Sequence, residues 1–169
     1  MSNIEKKGVG WLETRVADSK LLDPYFREND KTPSWDGTII VYDGSMKKEN
    51  IKGKIDVQIK TTEVDKFHSN KTSYQVNIVD YENYYKIRGT ILFVVEICGT
   101  DRKIFIKSLL PSEIKHILDE LKNNGKSSKM LHLDELDMST TKQLESICEH
   151  FLVHQKLQYI PITVTNFRF

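Results

Sequence analysis

The chain has 169 residues, 38% of them apolar and 29% charged, and its 25 Lys and Arg against 24 Asp and Glu give a formal charge of +1. That length suits one domain with a core of its own, and the near-zero balance does not advertise a nucleic-acid surface spread over the whole molecule. No apolar run reaches the roughly 18 residues of a membrane span, and no signal-type apolar stretch follows residues 1–8, so a cytoplasmic protein with no membrane partner is expected.

Residues 4–22 read as a first helix, because Val9, Leu12 and Val16 recur at helical spacing and share one face. Gly8 and Gly10 weaken its first turn, so its firm part is expected from Val9 or Trp11, and Pro24 is expected to end it. Glu13 lies beside Leu12, at the edge of the apolar stripe. Residues 25–28 suggest a short strand, and residues 29–35, which contain Pro33, suggest a loop. Residues 38–42 form a strand that runs into the turn Asp43-Gly44-Ser45.

A basic loop then leads to residues 54–60, K-I-D-V-Q-I-K. Ile55, Val57 and Ile59 alternate with Asp56, Gln58 and Lys60, so a buried apolar face backs a face carrying an acid, an amide and an ammonium. These two strands make an antiparallel pair joined by a long loop. Residues 61–71 read as a polar connection, and residues 73–79 as a third alternating strand. Residues 80–87 are a short aromatic helix for which Asp80 is a cap candidate.

Residues 90–98, T-I-L-F-V-V-E-I-C, are nearly all apolar, as in a central strand buried on both faces. A tight turn at Gly99 returns the chain along residues 102–108. Residues 111–121 are a helix opening on Pro111 with Ile114, Ile117, Leu118 and Leu121 on one face. Residues 130–133 form a short strand. Ser139 is expected to open a last helix with Leu144, Ile147, Cys148, Phe151 and Leu152 turned inward. Residues 159–165 suggest a final strand or tail, and the apolar ending raises the expectation that the chain is the front module of a longer protein. The order gives a single α/β domain with a mixed central sheet and helices on its faces.

Charge is unevenly spread. Residues 44–71 hold seven lysines against four acids, whereas residues 111–150 hold five lysines against eight acids. The lysine excess surrounds the K-I-D-V-Q-I-K strand and suits either a phosphate-bearing ligand or a solvated loop. Cys98 and Cys148 are expected to be free thiols in a reducing compartment, since neither has a close His partner for zinc. His150 and His154 stand at metal-ligand spacing with no third ligand near. Tyr81, Tyr84 and Tyr85 suit either the core or stacking on bases.

The candidate site is Glu13, Asp36, Gln58 and Lys60. Asp36 begins a strand, and Gly37 after it allows close backbone approach. If that strand pairs with the Gln58 strand, an Asp36 carboxylate, a Gln58 amide oxygen and the Ile59 carbonyl offer three hard oxygen donors of the kind Mg²⁺ or Mn²⁺ takes. Glu13 is placed to hold a metal-bound water. Lys60, two residues beyond Gln58, is placed to orient an attacking water or neutralise charge on a phosphate. Asp56 shares that face, either as a further ligand or as the partner of a lysine.

This arrangement of Asp36, a strand pair, Gln58-Ile59-Lys60 and a preceding helical Glu13 resembles the PD-(D/E)xK nuclease superfamily, in the D…QxK form of its Mrr-like branch. The segments W-D-G-T-I-I-V-Y, K-I-D-V-Q-I-K-T and Y-E-N-Y-Y-K resemble most closely the domain of unknown function 4365 family of bacterial defence proteins, over residues 5–121. The resemblance implies a restriction-endonuclease-like fold and metal-dependent cleavage of DNA, with Asp36, Gln58 and Lys60 as core residues and Glu13 in support. It also implies a second copy or a C-terminal sensor module as partner. Two positions depart from the pattern: Gln58 stands where most of the superfamily has an acid, and Trp35 where it has the proline.

Overall fold

The computed structural model describes residues 3–26 and 34–158. Among these described residues, four helices flank a seven-stranded mixed sheet. In chain order the elements are α1 (Asn3–Ala17), β1 (Leu22–Phe26), β2 (Gly37–Tyr42), β3 (Ile51–Glu63), β4 (Lys71–Asn77), α2 (Ile78–Lys86), β5 (Thr90–Cys98), β6 (Asp101–Leu109), α3 (Pro111–Asn123), β7 (Ser128–Glu135) and α4 (Lys142–Gln158). The strand order is β1-β2-β3-β5-β6-β7-β4. Only β3 and β5 run parallel, with Gln58 opposite Leu92 and Lys60 opposite Val94; the other pairings are antiparallel. A parallel pair needs a crossover, and the chain between β3 and β5 supplies it through β4 and α2.

The apolar run of β5 divides by parity. Ile91, Phe93, Val95 and Ile97 enter one core cluster with Val9, Leu12 and Val16 of α1 and Leu144, Cys148, Phe151 and Leu152 of α4. Leu92 and Val94 enter a second with Tyr81 and Tyr84 of α2 and Ile114, Ile117, Leu118 and Leu121 of α3. The sheet is therefore a middle layer, with α1 and α4 on one face and α2 and α3 on the other. A strand covered on both faces has no polar side, which is why its sequence does not alternate. β4 and β7 form a ribbon whose ladder to β6 is short, pairing Phe105 with Glu135 and Ile106 with Asp134.

Several expected boundaries move. The first helix ends at Ala17 rather than near Leu22. The Ser19 hydroxyl accepts the Leu21 and Leu22 backbone N–H groups at 3.0 and 3.1 Å, which turns the chain. Pro24 therefore sits inside β1, an edge strand, where its missing N–H costs no ladder bond. The helix also starts earlier than its glycines suggest, because Gly8 is buried against Thr61 of β3. The polar stretch after Lys60 is not all connection: β3 continues to Glu63, held by its parallel ladder to β5 as far as Ile97. α2 starts at Ile78 with Asn77 as its N-cap, so Asp80 lies in the first turn and is not the cap. α4 starts at Lys142, because Ser139 N–H is taken by the Asp137 carboxylate at 2.8 Å in a separate turn. The strand or tail expected over residues 159–165, and residues 27–33 of the expected strand and loop, lie outside the described residues. None of the described helices is long and apolar enough to cross a membrane.

Candidate functional site

Alternation along β3 sets the site. Ile55, Val57 and Ile59 are buried against α1 and α4, so Gln58 and Lys60 face the α2 and α3 side. Gln58 is only 5% exposed. It is not the wetted residue that a polar face on a strand implies, because Tyr84 of α2 covers it. The Tyr84 hydroxyl donates a hydrogen bond to Gln58 Oε1. A buried phenol without a partner costs about 1–3 kcal/mol, so the pairing removes a penalty from both groups. Burial, reinforced by the negative charges of Asp80 and Asp36, raises the Tyr84 pKa well above the usual tyrosine range, which keeps the phenol a donor. Lys60 is half-buried and has no ion-pair or hydrogen-bond partner among the described residues.

Asp36 meets this strand from β2. Its backbone N–H donates to the Val57 carbonyl at 2.8 Å, while Gly37 is the ladder partner of the same Val57. Two residues thus face one, as in a β-bulge, a device that re-aims a side chain at the rim of a sheet. The Asp36 side chain turns onto β3, where Oδ2 accepts the Ile59 N–H at 2.7 Å. The N–H and C=O of one strand residue point to the same side, so the Ile59 carbonyl looks toward the same edge as Asp36. The loop before Asp36 is held by α2: Ser34 Oγ donates to Asp80 Oδ1 at 2.6 Å, and Asn83 Nδ2 donates to Ser34 Oγ at 2.8 Å.

Glu13 is placed differently from the other candidates. It lies on α1, across the sheet from Gln58 and Lys60, and its Oε1 accepts the Phe26 N–H of β1 at 3.0 Å. Phe26 pairs with Gly37, so this carboxylate braces the strand end beside Asp36. Asp56 makes an ion pair with Lys54 at 3.4 Å, the lysine partner that is one of its two expected roles. The local lysine excess is partly cancelled in space: Lys52 pairs with Asp43 and Glu149, and Lys71 with Asp134.

A comparison with protein-family models, curated proteins and solved structures found no match in any of the three.

The donors around Asp36 are a carboxylate, a backbone carbonyl and an amide oxygen, a set that fits a hard divalent cation in kind. A carbonyl oxygen has two lone pairs, so the Tyr84 bond leaves Gln58 Oε1 one for a further ligand. Among the described residues there is no group of three or more His, Cys, Asp and Glu side chains arranged for a metal. His150 and His154 lie with ring centroids 4.0 Å apart on α4, with no third ligand among the described residues. Tyr81 and Tyr84 are core, whereas Tyr85 is 44% exposed. Cys98 and Cys148 are both free thiols. Sequence reasoning missed Ser34, Asp80, Asn83 and the bond from Tyr84 to Gln58. Positions 80, 83 and 84 share a helix face at i, i+3 and i+4, which was the available signal, but nothing in the chain order pointed that face at Gln58.

Proposed function

We propose that this chain is a restriction-endonuclease-like, metal-dependent DNA endonuclease domain, working in the cytoplasm as the effector of a bacterial antiphage defence system. The observation that carries the reading is the docking of the Asp36 carboxylate onto Ile59, between a buried Gln58 and Lys60 on one strand. Asp36, Gln58 and the Ile59 carbonyl would hold Mg²⁺ or Mn²⁺, and Glu13 braces β1, the strand that pairs with β2 beside Asp36. When bound, the cation supplies Lewis-acid polarisation of the phosphodiester and a more acidic water. Lys60, which pairs with no carboxylate among the described residues, would position the attacking water or neutralise charge gathering on the scissile phosphate. Cutting both strands takes two such sites, so a second copy or a further module belongs to the proposal.

The test is nicking of supercoiled plasmid with Mg²⁺ or Mn²⁺. Removing one group that stabilises transition-state charge typically costs about 10²–10³-fold, the loss expected for Lys60→Ala. Equal rates for wild type and Lys60→Ala would retire the assignment.

One observation favours a second reading. Gln58 brings no charge, and its oxygen already receives the Tyr84 hydroxyl, which weakens the metal site and suits a module that binds nucleic acid or a partner protein without cutting. Calorimetry with Mn²⁺ divides the two: DNA binding without metal uptake is the result of the module.

A further inference from the structure

α2 touches both halves of the candidate site, and the nuclease reading gives it no task. Asp80, Asn83 and Tyr84 fall at i, i+3 and i+4, on one face of a helix. The first two grip Ser34, at 2.6 and 2.8 Å, and the third grips Gln58. Ser34 has φ of 74°, a left-handed conformation that a non-glycine residue holds only under strain. Such a conformation persists only where neighbours over-determine it, and two α2 side chains do so here, two residues before Asp36.

We infer that α2 is the positioning element of the site: Asp80 and Asn83 fix the backbone that enters Asp36, and the Tyr84 hydroxyl fixes the Gln58 amide. This rests on the nuclease reading and deepens it. None of the three is a metal donor. They act as the outer partners of ligands do, by holding donors in one orientation before the ligand arrives. Without Tyr84 the Gln58 amide turns freely about its last torsion, which is broad for an sp³–sp² bond. Without the Ser34 clamp the left-handed turn relaxes and the Asp36 carboxylate leaves Ile59.

Two variants separate positioning from folding. Tyr84→Phe removes one hydroxyl and keeps the ring in the core. Ser34→Gly removes the clamp while permitting the positive φ. Both should melt as cooperative folded proteins. Mn²⁺ titrated calorimetrically should bind about tenfold more weakly to each than to wild type, the lower end of what outer partners contribute. In metal-free protein, the side-chain amide resonances of Gln58 should be well dispersed in wild type and shift toward the averaged position of a free glutamine in Tyr84→Phe. Mn²⁺ affinities within twofold of wild type in both folded variants overturn the inference. If the wild type takes up no Mn²⁺, the nuclease reading fails, and the Gln58 resonances then judge the positioning alone: no shift in metal-free Tyr84→Phe overturns it. Should Tyr84→Phe not fold, Ser34→Gly carries the Mn²⁺ comparison, and its resonances report whether the Asp36 segment has moved.

Discussion

Asp36 has a structural task, and the proposed function gives it a second that substitution can separate. Its Oδ2 accepts the Ile59 N–H at 2.7 Å, and in the proposed site its charge would hold a cation. Asp36→Ala removes both and leaves a partly buried N–H without a partner, at a cost of about 1–3 kcal/mol. For a domain of this size each kcal/mol shifts Tm by roughly 2–4 °C, so the alanine variant should melt about 2–12 °C lower. Asp36→Asn keeps an oxygen acceptor for the Ile59 N–H while removing the charge, so it should melt within about 3 °C of wild type, a change of roughly 1 kcal/mol or less. Metal then discriminates. Mn²⁺ at about one hundred times its dissociation constant stabilises a folded protein by about 2.7 kcal/mol, which corresponds to a rise of roughly 5–11 °C in wild type. That rise should vanish in Asp36→Asn although the fold is intact. Scanning calorimetry of the three proteins with and without Mn²⁺ is the assay. An asparagine variant that melts as low as the alanine one, or that gains as much from Mn²⁺ as wild type, refutes the reasoning.

Gly8→Ala should destabilise the protein by about 1–3 kcal/mol, although alanine is the better helix former by up to about 1 kcal/mol. A Cβ there would lie 2.1 Å from Thr61 Oγ1 and 2.9 Å from Thr61 Cβ, with no flexible end to give way. An unchanged or raised Tm in a thermal melt would contradict this. Burial pushes the Cys148 thiol from its ordinary value of 9.0 up to about 12, with Glu145 adding to the effect. The folded state therefore keeps a proton that the unfolded chain releases. The stability this contributes is complete below about pH 9 and is lost as the pH rises toward 12. Denaturant titrations across that range should show the decline, and Cys148→Ala should flatten it. A thiol reagent at neutral pH should label the partly exposed Cys98 and reach Cys148 only on unfolding.

Much of the fold was legible because local periodicity reports burial. The alternation of K-I-D-V-Q-I-K gave β3 and its inward face, the unbroken apolar run gave β5 as a central strand, and Ile114, Ile117, Leu118 and Leu121 gave α3. The pairing of β2 with β3 followed from the turn between them. Boundaries failed where a distant group decided them. Ser19 stops α1 through bonds to Leu21 and Leu22, and Gly8, read as a weakness, is a place where α1 packs directly on Thr61 of β3.

By itself the sequence determined the residue types of the candidate site and the face of β3 on which Gln58 and Lys60 stand, because a period of two leaves no other choice once Ile55, Val57 and Ile59 are buried. Only the tertiary structure decided that Asp36 docks on Ile59, that Glu13 serves β1, that Glu149 and Asp134 offset part of the lysine excess, and that α2 closes over Gln58. Those contacts join positions from 13 to 97 residues apart. Periodicity describes which side of its own element a residue takes, and carries no information about which other element will be laid against that side.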